Sequence, residues 1–264
     1  MAKSDIEIAF AQAKAAGRVA VIPFLMAGDP SVADTVRLAE ACAAGGADLI
    51  EIGWPFSDPI ADGPTIQAAS QRALDQHIGR DEVLETLALV HQRTGLPMLL
   101  LSYLNPLLSM ANLSPLRAAG VAGLVIPDLA LEQTPAIRTQ AQELDLAVIP
   151  FAAPTTTEQR LADIGRTADR GAFVYCVSLL GVTGSRQGLP AGALPLLQRA
   201  RKLIDVPLAV GFGISGPQAV AEVCRDADGV IVGSALIDIV QRDGRQAVES
   251  VQRFVGELVQ AGYR

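Results

Sequence analysis

The feature of this chain that most constrains its fold is a regular alternation of short apolar runs with longer segments of helical pattern. Each run is four to seven residues long and rich in aliphatic or β-branched side chains. Apolar runs of this length, separated by helical segments, predict β-α units that pair into a parallel sheet. The eight runs lie at 19–25, 47–52, 96–101, 122–126, 146–151, 172–177, 206–211 and 229–232.

Eight β-α units in 264 residues predict a closed (β/α)8 TIM barrel, because such barrels commonly need about 250 residues. If one run were misread, an open doubly wound sheet would be the rival, but its GxGxxG phosphate pattern is missing after the first run. No polar linker divides the chain, so 1–264 is interpreted as a single TIM-barrel domain. Helices are expected at 6–16 (extra, N-terminal), 31–44, 65–94 (two, divided near Gly79), 114–119, 131–144, 155–167, 193–203, 217–224 and 235–261 (interrupted at Gly244).

Composition excludes several functional classes. A formal net charge of -7 gives no electrostatic footprint for nucleic acid or an anionic membrane. The N-terminus lacks the basic-then-apolar order of a secretory signal, and no run approaches a membrane span, so a cytoplasmic protein is expected. The cysteines, Cys42, Cys176 and Cys224, are interpreted as buried free thiols. With His77 and His91 as the only histidines, neither a metal site nor a Ser-His-Asp triad is expected.

Two carboxylates near the second run indicate an acid/base site. Glu51 breaks an apolar strand at its C-terminal end, and the loop after it, rich in proline and glycine, brings Asp62 back towards it. Burial would disfavour the charged form of Glu51 and raise its pKa, which suits proton transfer near neutral pH. The alternative is a strand-end carboxylate paired with an arginine or a backbone N–H. Tyr175, near the end of the sixth run, could project its hydroxyl towards the same barrel mouth.

Glycines after the last three runs predict a phosphate site. Segment 181–188 follows the sixth run, 211–215 the seventh, and Gly233-Ser234 heads a helix after the eighth. Exposed backbone amides at a helix N-terminus bind phosphate without a lysine, and barrels often place that site after strands seven and eight. The wall between Glu51 and these loops is expected to be apolar, from Phe24, Leu101 and Phe212, and would suit an aromatic substrate. The three could equally be core residues.

Three motifs in this order resemble the tryptophan synthase alpha chain family. They are Glu51-Ile52-Gly53 with 55–59 and 61–67, then Gly181-Val182-Thr183-Gly184, then 211–215. The similarity extends over essentially the whole chain, and the first motif is highly specific.

The resemblance implies a lyase that cleaves indole-3-glycerol phosphate to indole and glyceraldehyde 3-phosphate. Glu51 matches the family's acid/base carboxylate, Asp62 the acceptor of the indole N–H, and Tyr175 an active-site tyrosine. The phosphate cradle corresponds to Gly184, Gly213, Gly233 and Ser234, and Thr183 to a loop that closes near Asp62. A sugar-phosphate isomerase and a non-catalytic barrel that activates a partner remain as alternatives.

The family also implies a partner, a beta chain containing pyridoxal phosphate that receives indole through a tunnel, in an α2β2 heterotetramer. No cofactor is expected in the present chain. Trp54, the only tryptophan, departs from the aliphatic residue expected at this position. It could anchor the partner, since interfaces favour this residue, or make an ordinary contact at the barrel rim.

Overall fold

The computed structural model describes residues 4–130, 135–168, 171–177, 192–211 and 213–264, and in these segments nine parallel strands form one sheet. The strands are β1 (Ala20–Met26), β2 (Ile50–Gly53), β3 (Met98–Leu101), β4 (Val121–Val125), β5 (Ala147–Ile149), β6 (Phe151–Ala152), β7 (Val174–Val177), β8 (Leu208–Gly211) and β9 (Gly229–Val232). Their order in the sheet is β5-β4-β3-β2-β1-β9-β8-β7-β6.

The two outer strands of this sheet belong to one extended segment, and this closes the barrel. Strand β5 pairs with β4, whereas β6, which follows β5 after a single intervening residue, pairs with β7. Pro150 lies between them and has no N–H to donate, but its carbonyl accepts the Tyr175 N–H at 2.9 Å. Counting the segment as one strand gives the eight strands predicted from the sequence. The predicted (β/α)8 barrel is therefore confirmed.

Helices follow the strands and cover the outside of the barrel. Every residue of β1 to β4 is buried, as expected for parallel strands covered on both faces. No helix of the described segments is both long and apolar enough to cross a membrane. The helices are α1 (Asp5–Ala15), α2 (Val32–Ala44), α3 (Pro64–Asp75), α4 (Arg80–Thr94), α5 (Leu104–Leu108), α6 (Ser114–Ala118), α7 (Pro135–Glu143), α8 (Glu158–Thr167), α9 (Ala193–Ala200), α10 (Pro217–Val223), α11 (Ser234–Asp243) and α12 (Ala247–Ala261), with a 3-10 turn at Gly244–Gln246.

Most helix boundaries lie within a few residues of those predicted. Gly79 divides α3 from α4, and Gly244 begins the 3-10 turn that separates α11 from α12, as the sequence pattern indicates. Helix α5 was not predicted, because its Asn105-Pro106 step is typical of a loop rather than of a helix. The extent of the domain and the cytoplasmic location stay predictions.

The N-terminal helix α1 packs against the barrel. A capping box at Ser4 and Glu7 starts it, and its buried residues include Ile6 and Phe10. The Phe10 ring lies 5.3 Å from that of Phe173. This helix adds apolar contacts at the barrel end from which the strands begin.

An ion pair fixes the start of the first two strands. Arg18 donates to both carboxylate oxygens of Asp48, at 2.6 and 2.8 Å, and Asp48 also accepts the Val21 N–H at 2.9 Å. The two charged side chains are only 14% and 9% exposed, so solvent screens the pair little.

We predict that Asp48→Ala lowers the free energy of unfolding by about 2–3 kcal/mol, because it removes the charged partner of a nearly buried guanidinium and the acceptor of a strand N–H. Urea unfolding followed by circular dichroism measures this difference. Asp163→Ala is the matched control, since it removes the ion pair with Arg166, whose side chain is 71% exposed, and should change stability by less than about 0.5 kcal/mol. Equal losses in the two variants would contradict the assignment.

Candidate active site

Glu51 is a buried carboxyl group inside the barrel. It lies in β2, in register with Phe24 of β1 and Leu99 of β3, and is 1% exposed. Its Oε1 atom has no hydrogen-bond partner among the described residues. Burial, aided by the negative charge of Asp62, raises the pKa of Glu51 to about 8. The group is therefore largely protonated at neutral pH and has an oxygen free to meet a substrate.

Asp62 is held by the loop between β2 and α3. Its N–H donates to the Pro59 carbonyl at 3.2 Å, and its own carbonyl accepts from the Gln67 side chain at 2.8 Å. The residue is 6% exposed. Burial raises the pKa of this carboxyl to about 6, although a hydrogen bond from Tyr103 acts in the opposite direction. Asp62 therefore ionises at a lower pH than Glu51.

Tyr175 lies in β7 with its ring buried. Burial, and then the charges of Glu51 and Asp62, raise the pKa of its hydroxyl well above the ordinary value, so the phenol stays protonated. A Cβ atom added at Gly211 would lie 2.5 Å from this hydroxyl, so only glycine leaves room for it there. Tyr175 lines the same pocket as Glu51 and Asp62.

These groups line one pocket of about 600 Å³, including its open mouth. Its walls combine the titratable groups with apolar side chains and with the turns after β8 and β9. The lining residues are Phe24, Glu51, Asp62, Ile66, Leu101, Tyr175, Gly213, Ile214, Ser215, Ile231, Gly233, Ser234 and Ala235.

The far side of the pocket has the features of an anion site. Helix α11 begins at Ser234, and no side chain of the described residues caps its N-terminus at Gly233. The first residues of α11 line the pocket, so the positive end of the helix dipole adjoins that space. Gly213 has φ +99°, a conformation that favours glycine. Gly213, Gly233 and Ser234 line the same pocket, and phosphate binding by them stays a prediction.

Three predicted site residues, Thr183, Gly184 and Phe212, lie outside the described residues. The predicted wall residues Phe24 and Leu101 are 4% and 7% exposed and line the pocket. Trp54 is also buried, at 7% exposure, and belongs to the apolar core. Of its two interpretations, burial favours the barrel-rim contact.

Sequence reasoning missed Tyr103, which contacts the site from a neighbouring strand end. Its hydroxyl accepts the Ala61 N–H at 2.9 Å and hydrogen-bonds to the Asp62 carboxylate. Tyr103 stands two residues after the end of β3, where barrel enzymes place functional groups. The same rule that selected Asp62 could therefore have found it.

Comparisons with known proteins agree on one family. The family model described as tryptophan synthase alpha chain matches residues 10–262. The alpha chain of Carboxydothermus hydrogenoformans is 43% identical over 97% of both chains, and that of Synechococcus elongatus 46% over 96% of this chain and 94% of its own.

Solved structures give the same result. The fold is similar to that of a chain of tryptophan synthase from Mycobacterium tuberculosis, with a TM-score of 0.90, 32% identity and 100% coverage of both chains. A tryptophan synthase alpha chain from Legionella pneumophila gives a TM-score of 0.87 at 31% identity, covering 98% of this chain and 97% of the other. The chain therefore belongs to the tryptophan synthase alpha chain family.

Proposed function

We propose that Glu51 and Asp62 carry out the reaction of this family, the retro-aldol cleavage of indole-3-glycerol phosphate to indole and glyceraldehyde 3-phosphate. Membership of the family makes the chain a lyase of tryptophan biosynthesis, and the alternative of a sugar-phosphate isomerase is not favoured. The observation that carries the proposal is a buried Glu51 whose Oε1 atom has no hydrogen-bond partner among the described residues, in the same pocket as Asp62. Burial raises the pKa of Glu51 above that of Asp62.

Glu51 is suited to start the reaction as an acid and to finish it as a base. Protonated Glu51 gives its proton to C3 of the indole ring, which leaves a cationic ring and a carboxylate. That carboxylate then takes the proton of the glycerol hydroxyl next to the ring. The carbonyl of the aldehyde forms as the carbon–carbon bond breaks. The electron pair of the broken bond passes to the ring and neutralises its positive charge. Glu51 ends protonated, so the cycle is balanced by proton transfers alone.

Asp62 is suited to stabilise the charge that builds on the ring. An ionised carboxylate accepts the indole N–H, and this hydrogen bond strengthens once C3 is protonated, so it favours the transition state over the ground state. The two pKa values suit these roles, since Asp62 ionised and Glu51 protonated coexist mainly between about pH 6 and 8. Tyr175 contributes a neutral hydroxyl beside both groups.

The rest of the pocket matches the two ends of the substrate. Phe24, Leu101 and Ile66 offer apolar surface for the indole ring. Gly213, Gly233 and Ser234, with the N-terminus of α11, offer amides and a positive dipole for the phosphate. By their sequence match, Gly184 is assigned to the phosphate cradle and Thr183 to the loop that closes near Asp62. Phe212 is assigned to the apolar wall by its position after the seventh run.

We predict that Glu51→Gln lowers the turnover number for cleavage by at least about 10³-fold, because glutamine has no proton to give. Indole release from indole-3-glycerol phosphate measures it. Turnover close to that of the native chain would refute the role of Glu51.

The same variant should remain folded, and its free energy of unfolding should depend on pH differently from that of the native chain. The raised pKa means that folded Glu51 keeps a proton that the unfolded chain releases from about pH 4 upward. The native stability contributed by this group therefore falls as pH rises towards 8. Glutamine does not titrate, so the gain in unfolding free energy of Glu51→Gln over the native chain should be larger at pH 8 than at pH 5.

We predict that Ser234→Asp raises the Michaelis constant by at least about tenfold, because a carboxylate at this end of the pocket repels the substrate phosphate. A negative charge in the first turn of α11 also interacts favourably with the helix dipole, so thermal stability should not fall. Inhibition by inorganic phosphate should weaken in parallel. Ser234→Ala, which adds no charge, is the control; equal phosphate affinity in both variants would remove Ser234 from the phosphate site.

Alpha chains of this family work with a beta chain, and we infer that this chain joins one in an α2β2 heterotetramer. Ile60 and Leu108 support a docking surface at the barrel mouth, because they are 77% and 61% exposed and large exposed apolar side chains are favoured at interfaces. Ile60 precedes Ala61, whose N–H contacts Tyr103, and Leu108 is the last residue of α5, the helix that follows Tyr103. A partner there would cover the rim that carries Asp62.

We predict that replacing both Ile60 and Leu108 by serine weakens binding to a beta chain by at least about tenfold, because apolar contact area is lost. Titration of a labelled beta chain gives the dissociation constant, and light scattering the mass of the complex. Leu203→Ser is the control, since this exposed leucine precedes β8 at the opposite barrel end. If the double variant binds as tightly as the control does, the docking surface lies elsewhere.

A further inference from the structure

We propose that Tyr103 is the positioning residue for Asp62, holding its carboxylate at the barrel mouth through a single shared hydroxyl group. The inference rests on the proposed function of Asp62. The Tyr103 hydroxyl accepts the Ala61 N–H at 2.9 Å and hydrogen-bonds to the Asp62 side chain. One atom thus contacts both the backbone of the loop and the functional carboxylate that the loop carries.

The direction of these hydrogen bonds follows from the chemistry of the phenol. A tyrosine hydroxyl has one proton to donate and lone pairs with which to accept. Since Ala61 donates to the oxygen, the proton is available for the Asp62 carboxylate, which can only accept when ionised. Burial raises the pKa of Tyr103 above its ordinary value, so the hydroxyl keeps its proton throughout the neutral range.

Tyr103 itself is fixed by the barrel wall. Its neighbour Ser102 donates its N–H to the Val125 carbonyl at 3.0 Å and its hydroxyl to the Tyr103 carbonyl at 2.9 Å. On the other side, the Leu104 N–H donates to Asp128 at 2.9 Å. These bonds place the start of α5 relative to β4 and the segment after it. Asp62 is therefore located with reference to two strands other than the one its loop follows.

The aromatic ring has a separate packing role. It stacks on Phe56 with centroids 5.1 Å apart and planes inclined by 26°, and the residue is 2% exposed. Tyr103→Phe keeps this ring and removes only the hydroxyl. A loss in that variant can therefore be assigned to the hydrogen bonds.

Removing the hydroxyl should change the ionisation of Asp62 in a defined direction. The hydrogen bond from Tyr103 favours the charged form, while burial favours the neutral form. Without the bond, the pKa of Asp62 rises further. The other titratable groups acting on this cluster are Glu51 from β2, Tyr175 from β7 and Asp128 from the segment after β4, and the substitution leaves all three in place.

The test is the pH profile of the rate constant kcat/KM for cleavage by Tyr103→Phe, measured on the full chain between pH 5 and 9. We expect the acidic limb to move to higher pH by about one unit, so that the loss is roughly fivefold greater at pH 6 than at pH 8. Titration of the Asp62 carboxyl by carbon-13 NMR should show the same upward shift without any substrate. Inhibition by inorganic phosphate should be unchanged.

Two further variants separate the possible outcomes. Tyr263→Phe is the matched control, because this tyrosine is 50% exposed beside the C-terminus and should leave the profile unchanged. Asp62→Asn should lose the acidic limb; if it keeps the native rate and profile, the proposed function of Asp62 fails, whatever Tyr103 does. If Asp62→Asn loses activity but Tyr103→Phe keeps the native limb and NMR titration, the role of Tyr103 is overturned. An equal loss at every pH would also overturn it.

Discussion

Burial of the Glu51 carboxyl group inside an apolar barrel is the constraint on which the rest of the structure depends. A charged carboxylate costs several kcal/mol in such a place, and the group avoids this cost by keeping its proton. The strand ladder holds Glu51 between Phe24 and Leu99, so it cannot turn out into water without disrupting the wall. Because the rigid barrel keeps Glu51 in this unfavourable position, the carboxyl group stays protonated and can act as a proton donor.

The parallel arrangement then determines where the other groups must come from. All strands end at the same edge, so loops distant in sequence meet around Glu51. Asp62 comes from the loop after β2, Tyr175 from β7, and the amides near Gly213 and Ser234 from the turns after β8 and β9. Tyr103 joins this set from the segment after β3. Two carboxyl groups with different pKa values can then act as proton donor and hydrogen-bond acceptor in one pocket.

The sequence alone is sufficient to predict those features of the fold and site that follow directly from the pattern of buried residues. The eight apolar runs predicted the barrel, and Glu51 was found because a charge interrupts one of them. Asp62, Tyr175 and the two glycine turns followed from the position of functional groups at strand ends. The phosphate role of the glycine turns followed from their exposed amides at a helix N-terminus. The roles of Asp62 and Tyr175 came from motif similarity, since neither apolar patterning nor spacing could have named indole.

The other features of the site and fold could be found only in the three-dimensional structure, because most of them depend on contacts between segments far apart in sequence. Tyr103 stands 42 positions from Ala61, and no local pattern indicates that its hydroxyl reaches that loop. Helix α5 was hidden by Pro106, a residue that local rules assign to turns. The burial of Trp54 likewise follows from packing against the core and could not be read from its position after Gly53.

Pro150 gives the ring of strands a seam. The segment that contains it is joined to β4 by three residue pairs and to β7 by only two, and no residue is paired on both sides. Because no residue of this segment is paired on both sides, the wall should open more easily here than where one strand residue is paired with both neighbours. The segment with Pro150 lies opposite β1 in the barrel, on the other side from the strands β1, β2 and β3 that surround Glu51. Local opening of the barrel at this segment would therefore leave the strands that hold Glu51 in place.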